Sequence, residues 1–245
     1  MNRSKLTGSD TRQELISRLA AMAADKARIA RVRICIERIY EIASNCKSHQ
    51  EACMNGHSSN SIAMKIRHLH NELELHVHRH CLGALYRSTS VDSLASSGTL
   101  DSDLLRQEHT IPANILAGMV YTAVSNRAAS CPSELANLLL TQTIVTAVTR
   151  EEDGGTLKTP RCYDGHKTPK AWTSSHPEYH RLSDFTNLSA RPFLRYHGTD
   201  LKVTFWPTGY EVIPLEDTME MHINRVKYLP MYRPETYFPS YRLAA

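Results

Sequence analysis

The sequence predicts an α+β fold in which helix dominates. Two long stretches near the N-terminus repeat apolar residues at helical spacing, and an apolar run near the middle begins just after a proline. Three short runs in the second half are rich in β-branched or aromatic residues, which favour strands. With 245 residues, 41% of them apolar, the chain can bury a sizeable core without disulfides or a structural metal.

The N-terminal part is expected to form a helical hairpin. Apolar residues recur every three or four positions from about Thr11 to Ala43, and again from Ser61 to about Tyr86. A polar, turn-rich segment around Asn55-Gly56 separates the two patterns. We therefore expect residues 1–87 to form two antiparallel helices with one polar face.

Positive charge is concentrated in this hairpin. With histidine neutral, residues 1–87 carry a formal charge of +6, residues 88–157 carry −5 and residues 158–245 carry +3. A basic helical face attracts phosphate, so nucleic acid is a candidate partner, with contacts expected at Arg67, Arg79 and Arg87. An ordinary solvated helix face is the other interpretation. The same helices are also a candidate surface for homo-oligomerisation.

The rest of the chain divides into a connecting segment and a mixed core. Residues 88–104 are rich in Ser, Thr, Gly and Asp, as connecting segments are. Residues 105–245 are expected to form a mixed α/β core with a Pro-rich C-terminal arm. In that core TIVTAVT predicts a strand, and LKVTFW and GYEVIPL predict a hairpin around Pro207-Thr208-Gly209. The tail YLPMYRPETYFPSYRL is expected to lie extended over the surface.

Features of membrane and secreted proteins are not found in the sequence. The chain has no run of about 18 apolar residues, and no apolar stretch follows the first basic residues as in a secretory signal. We therefore expect a cytoplasmic protein with no membrane partner. Its six cysteines are expected to be thiols, because their spacing does not resemble a disulfide scaffold.

One short stretch combines an acid, a histidine and a proline. In RQEHTIPANIL, residues 106–116, Glu108 directly precedes His109, and Pro112 follows after one Thr-Ile step. This EHTIP pattern resembles the first element of the HNH-type (His-Me finger) nucleases. A carboxylate that holds a divalent cation beside a histidine that deprotonates water is a chemically sensible pair for phosphodiester hydrolysis.

The resemblance implies a role for each residue. His109 would be the general base and Glu108 a ligand of catalytic Mg²⁺ or Mn²⁺. The family's pattern continues with an Asn and then a second His or Asn on a helix, within a hairpin-helix unit. Asn126 and Asn137 lie downstream, but no histidine occurs between His109 and His166. The resemblance covers five to nine residues.

A simpler interpretation of the same stretch needs no metal. Pro112 can occupy the first turn of a helix, since its missing N–H has no partner there in any case. Glu108 would then make a local hydrogen bond near the positive end of the helix dipole, beside His109.

Histidine and cysteine clusters are candidates for structural zinc. CYDGHKTPKAWTSSHPEYH has two histidines four residues apart, on a helix that Pro177 would begin, with further donors upstream. The expected ligands are Cys162, His166, His176 and His180. Surface and helix-terminal histidines are the alternative. A second, less favourable run is NCKSHQEACMNGH, whose donors would be spread along a helix.

Two functions of different classes follow from these patterns. The first is a metal-dependent nucleic-acid phosphodiesterase of HNH-like type, in which His109 activates water. The second is a helix-rich, oligomeric protein without enzymatic activity that binds nucleic acid or protein. The chain has no P-loop, G-x-G-x-x-G, H-E-x-x-H or G-x-S-x-G motif, which argues against the corresponding nucleotide-binding and hydrolytic classes.

Overall fold

The computed structural model describes most of the chain. The described residues are 12–46, 51, 61–73, 84–97, 99, 102–157, 162–163, 166–167, 177–182, 184 and 186–240. Within them the fold is α+β with helix dominant, as the sequence predicts.

Helices make up most of this structure. The α-helices, in chain order, are α1 Arg12–Ala24, α2 Lys26–Asn45, α3 Ser61–Leu73, α4 Thr89–Ser96, α5 Ala113–Ser125, α6 Pro132–Gln142, α7 Arg150–Gly154, α8 Pro177–Leu182, α9 Met219–Val226 and α10 Pro234–Tyr237. Short 3₁₀ helices lie at Ser102–Leu104, Leu194–Tyr196 and Pro230–Tyr232.

A mixed five-stranded sheet forms the centre of the fold. Its strands are β1 Tyr86–Ser88, β2 Leu105–His109, β3 Val145–Thr149, β6 Val203–Phe205 and β7 Tyr210–Glu211, in the spatial order β2-β3-β1-β6-β7. The β1–β3 pair is parallel and the other pairs are antiparallel. A separate hairpin joins β4 Cys162–Tyr163 and β5 His166–Lys167.

The predicted β elements of the second half are confirmed. TIVTAVT contains β3, and LKVTFW and GYEVIPL contain the antiparallel strands β6 and β7. Gly209 has a φ of 74°, a conformation that is strained for residues with a Cβ, which explains why a glycine ends this turn.

The first predicted helix is divided in two. Asp25 interrupts it, because its side chain accepts hydrogen bonds from the backbone N–H groups of Ala27 and Arg28 and so begins α2. One side of α2 buries Val32, Ile36, Ile39 and Ile42, as the apolar spacing predicts.

Helices α2 and α3 pack with opposite chain directions. Arg31 near the start of α2 pairs with Glu72 at the end of α3, whereas Cys35 donates to the carbonyl of Lys65, one to two turns earlier in α3. The polar segment that joins the two helices lies almost entirely outside the described residues. The hairpin itself, as a connected unit, therefore remains a prediction. The expected end of its second helix near Tyr86 is wrong, because Tyr86 begins the strand β1.

The segment expected to be a connector contributes to the sheet and its cover. Residues 88–104 include the helix α4, which Ser88 begins by accepting from the N–H of Val91. Val91 packs on one face of the sheet against Leu105, Val145 and Ala147. Because apolar side chains of α4 are buried there, this stretch is structured where a loose connection was expected.

The other face of the sheet lies on the main core. A continuous cluster of buried apolar side chains runs from Leu19 of α1 through Ile36, Leu69 and Leu139 to Tyr237 of α10. The Pro-rich tail takes part in it, because Tyr232 and Tyr237 are buried within short helices. The expectation of an extended arm is therefore wrong, while the expectation that tyrosines of the tail pack inward holds for these two.

No helix among the described residues combines the length and the apolar composition that a bilayer-spanning segment needs.

Candidate functional site

The Glu108-His109 stretch lies where a strand meets a helix, and we call these two residues the Glu108-His109 corner. Strand β2 ends at His109, and Pro112 precedes the first residue of α5, so the predicted helix after Pro112 is confirmed. Glu108 lies opposite Thr146 of β3, and His109 lies opposite Val145. The strand is at the edge of the five-stranded sheet, which leaves its outer side open to contacts from other elements.

An arginine from the Pro-rich part of the chain engages both residues of this corner. Arg195 forms an ion pair with the carboxylate of Glu108 and donates to the backbone carbonyl of His109 at 3.0 Å. Only 3% of Arg195 is exposed, and Glu108 is also buried. Because a buried charge is unfavourable without a partner, each of these groups depends on the other.

A chain of hydrogen bonds runs from His109 into the protein. The Nε2 atom of His109 lies 2.9 Å from Nδ1 of His70, and Nε2 of His70 lies 2.6 Å from Oγ1 of Thr143. His70 is in the last turn of α3 and is 1% exposed, whereas 8% of His109 is exposed. Of the two histidines, His109 is therefore the one closer to solvent.

Hydroxyl groups form a further polar contact around Thr110, the residue that follows His109. Oγ1 of Thr110 lies 3.1 Å from Oγ1 of Thr146 and 3.2 Å from the phenol oxygen of Tyr196. Burial, followed by the negative charge of Glu108, raises the pKa of Tyr196 to about 12. The phenol therefore remains protonated and available as a hydrogen-bond donor at neutral pH. We call this set of residues the buried polar cluster: His70, Glu108, His109, Thr110, Thr143, Thr146, Arg195 and Tyr196.

The cluster contains groups suited to proton transfer. An imidazole can both take and return a proton near neutral pH, and His109 is the imidazole with some exposure. The ion pair of the preceding residue, Glu108, with Arg195 is buried on the other face of β2, because successive strand side chains point to opposite faces, and Arg195 reaches His109 through its backbone carbonyl. Proton transfer at His109 is thus the reaction step that this arrangement fits best.

A divalent cation fits this corner poorly. The carboxylate of Glu108 is already paired with the guanidinium of Arg195, whose positive charge would repel a metal ion. In the described ranges, no group of three or more His, Cys, Asp or Glu side chains is placed to hold a metal. The Mg²⁺ or Mn²⁺ site at Glu108 stays a prediction.

The zinc prediction lies outside the described side chains. Cys162 and His166 are on the β4–β5 hairpin and His180 is in α8, but only their backbone is described. His176 lies outside the described residues altogether. Zinc at these four residues stays a prediction.

The three arginines expected to contact nucleic acid differ in their positions in the structure. Arg67 is exposed on α3, where its guanidinium donates to the sulfur of Met64, and Arg79 lies outside the described residues. Arg87 is 4% exposed, and its guanidinium lies over the ring of Trp206 at 4.5 Å. A phosphate contact at Arg87 does not suit this position, because the guanidinium is buried against Trp206 on a strand and is not exposed on a helix.

Much of the positive charge on α2 is compensated within the chain. Arg31 pairs with Glu72, Arg33 with Glu37 and Arg38 with Glu41. The net charge of +6 already includes these acids, so the pairs do not lower it but leave fewer arginines of α2 free for a polyanion. Arg67 has no acidic partner among the described residues, which makes it the strongest of the predicted phosphate contacts.

Sequence reasoning missed most of the buried polar cluster. His70 continues the apolar stripe that includes Ile66, Leu69 and Leu73, and a histidine on such a face was the available signal. Arg195 lies between aromatic residues in RPFLRYHG, where nothing in the spacing connects it to Glu108. Thr143 and Tyr196 had no distinguishing pattern.

A second buried group of polar residues lies between β1 and α9. The phenol of Tyr86 hydrogen bonds to Nδ1 of His222 at 2.8 Å, and Arg225 forms an ion pair with the buried Asp217. Burial, with a smaller contribution from the positive charge of Arg225, lowers the pKa of His222 to about 3. His222 is therefore neutral at physiological pH.

Comparison with known proteins found no family model, no curated protein and no solved structure that matches this chain.

Proposed function

We propose that the protein is a hydrolase of nucleic-acid phosphodiester bonds in which His109 is the general base. One observation carries the proposal. The imidazole of His109 is held at the end of β2 by His70, Arg195 fixes the backbone carbonyl of the same residue, and His109 is the less buried of the two histidines, with 8% exposed.

The burial of this cluster supports a functional role. Replacing a buried ion pair by well-packed apolar residues is often neutral or stabilising, so stability alone does not explain its presence. Buried ionisable side chains that form ion pairs and hydrogen bonds with one another occur frequently at catalytic sites. Here five separate elements, α3, β2, the residue after α6, β3 and the 3₁₀ helix Leu194–Tyr196, each contribute to it.

The proposed step is attack of water on phosphorus. His109 takes a proton from the water as its oxygen bonds to phosphorus, and the bond from phosphorus to the leaving ester oxygen breaks. The leaving oxygen takes its proton from solvent. Arg67, one helical turn before His70 on α3, provides an exposed positive charge that can hold a neighbouring phosphate.

The test compares cleavage by the wild type and by His109→Gln. The glutamine can still donate an N–H toward His70 but cannot act as a base, so the variant is expected to fold. His68→Gln, which changes an exposed histidine on α3, is the matched control. Plasmid DNA and single-stranded RNA are incubated with each protein in Mg²⁺, in Mn²⁺ and in EDTA.

Cleavage by the wild type and by His68→Gln, reduced about 100-fold or more in His109→Gln, is the expected result. Equal cleavage by wild type and His109→Gln would remove His109 from the reaction. No cleavage of either substrate by the wild type in any of the three conditions would contradict the proposal as a whole. The EDTA arm shows whether the predicted metal is required.

A second function is favoured by apolar surface on the N-terminal helices. Ile34 of α2 is 54% exposed and Met64 of α3 is 40% exposed. Exposed apolar side chains on neighbouring helices suit a protein contact better than a polyanion contact. We therefore propose as the alternative a non-enzymatic protein that oligomerises through these helices. Light scattering after size-exclusion chromatography tests it, because Ile34→Lys should then lower the oligomer mass, whereas the exposed substitution His68→Gln should not.

A further inference from the structure

The hydrogen of one threonine hydroxyl determines the direction of a hydrogen-bond chain. Oγ1 of Thr143 makes a short contact with the backbone carbonyl of Leu139, one turn earlier at the end of α6. A carbonyl oxygen can only accept, so the hydroxyl donates its single hydrogen there. The lone pairs of the same oxygen remain for a second partner, which is Nε2 of His70 at 2.6 Å.

The protonation pattern of His70 follows from this assignment. Because the hydrogen of Thr143 is committed to Leu139, Nε2 of His70 must carry a hydrogen and donate it to Thr143. Burial of His70 away from water disfavours the charged imidazolium, and a neutral imidazole has only one N–H. Nδ1 of His70 is therefore an acceptor.

The protonation of the His109 ring follows from that of His70. The contact of 2.9 Å between Nδ1 of His70 and Nε2 of His109 needs one hydrogen, and His70 has none to offer at that atom. Nε2 of His109 must supply it. In neutral His109 the remaining ring nitrogen, Nδ1, then carries the lone pair that can accept a proton.

We propose that Thr143 and His70 are positioning residues that hold His109 in the Nε2–H tautomer, so that Nδ1 is its proton-accepting atom. The tautomer follows from the hydrogen bonds together with the burial of His70, and its catalytic meaning rests on the proposed function. When Nδ1 takes a proton, the Nε2–H bond to His70 becomes charge-assisted and therefore stronger. A neutral imidazole thus performs the orienting role that a carboxylate performs in the Ser-His-Asp hydrolases.

Nuclear magnetic resonance of the full chain labelled with ¹⁵N-histidine tests the assignment directly. Long-range ¹H–¹⁵N spectra at mildly alkaline pH distinguish protonated from unprotonated ring nitrogens, and His70→Gln and His109→Gln identify the signals. We expect Nε2 protonated and Nδ1 unprotonated in both His70 and His109. A hydrogen on Nδ1 of His109 in the wild-type spectrum would overturn the proposal.

Two valine substitutions, one in the last turn of α6 and one at the residue after it, separate the hydrogen-bond relay from Thr143 through His70 to His109 from general packing. Thr143→Val removes the acceptor for His70, so both rings should gain a population with the hydrogen on Nδ1. Thr141→Val is the matched control, since Oγ1 of Thr141 makes the same type of bond, to the carbonyl of Asn137 at 2.5 Å, and its contact with a histidine, His222, is made by the backbone, which the substitution retains. Thr143→Ser retains the hydroxyl and should restore the wild-type spectrum. A Thr143→Val spectrum identical to that of the wild type would contradict the relay.

Kinetics distinguish failure of the relay from failure of the proposed function. If the wild type cleaves nucleic acid, we expect Thr143→Val to lower kcat by about tenfold or more with little change in KM, and Thr141→Val to change neither. Unchanged kcat in Thr143→Val would refute the positioning role while leaving His109 as the base. Wild-type tautomers as expected, without cleavage, would support the relay and reject the hydrolase.

Discussion

Arg195 joins the side chain of Glu108 to the backbone of the next residue. Its guanidinium forms an ion pair with the carboxylate and donates to the carbonyl of His109, which lies 86 residues earlier in the sequence. This one side chain therefore ties the end of β2 to the 3₁₀ helix Leu194–Tyr196. The orientation of the Glu108-His109 corner depends on it.

The first prediction concerns the stability of this ion pair. Glu108→Gln and Arg195→Met should each lower the free energy of unfolding by about 3–5 kcal/mol, because each leaves a buried charge without its partner. The double variant should lose clearly less than the sum of the two. Urea denaturation of all four proteins measures both effects.

An exposed pair provides the control for that experiment. Arg38 and Glu41 form an ion pair on α2 in which both side chains are more than half exposed. Arg38→Gln should change the free energy of unfolding by no more than about 1 kcal/mol. If Arg195→Met had an equally small effect, the pair with Glu108 would not be the buried interaction described above.

The second prediction concerns stability in acid. His222 has an ordinary pKa of 6.5 when unfolded and a pKa of about 3 when folded, so the unfolded chain binds its proton more readily. The contribution of neutral His222 to stability is therefore complete above about pH 6.5 and is lost progressively as the pH falls toward 3.

A variant without a titratable group isolates this effect. His222→Asn can still accept the hydrogen bond of Tyr86 through its side-chain oxygen, but it cannot take up a proton. Urea denaturation between pH 7.5 and pH 4 should show a smaller loss of stability in the variant than in the wild type. Identical slopes in the two proteins would mean that His222 does not remain neutral in the fold.

The third prediction concerns the division between α1 and α2. Asp25→Ala removes the acceptor for the N–H groups of Ala27 and Arg28 and should destabilise the protein by about 1 kcal/mol. Asp25→Asn retains an acceptor oxygen and should stay close to the wild type. Thermal denaturation compares the three proteins, and equal stability of the alanine and asparagine variants would argue against the cap.

The fourth prediction concerns binding of nucleic acid. If Arg67 contacts a phosphate, Arg67→Gln should weaken binding of DNA or RNA and reduce the slope of log affinity against log salt by about 1. Arg38→Gln is the matched control, because Arg38 is already paired with Glu41. Fluorescence anisotropy with a labelled oligonucleotide at several salt concentrations measures both. The same salt slope for wild type and Arg67→Gln would exclude that contact.

Local patterns predicted which helices and strands form better than they predicted the residues at which each begins and ends. The apolar spacing of α2 and α3, the β-branched run of β3 and the turn before β7 depend on neighbours within a few residues, so they could be predicted. The helix α4 was missed, because its eight residues are mostly polar and only Val91 is fully buried against the sheet. Burial of Arg87 was missed for a similar reason, since strand order in a sheet is not a local property.

The sequence by itself determined the helix-dominated α+β class and the Glu108-His109 corner, because periodicity and adjacent residue types are local. Tertiary structure alone decided which groups surround that corner: His70 from α3, Thr143 after α6 and Arg195 from the C-terminal part. These contacts join residues separated by tens of positions along the chain, and no spacing rule connects them. Only the packing of α3, α6 and the 3₁₀ helix Leu194–Tyr196 around β2 brings their side chains within hydrogen-bond distance.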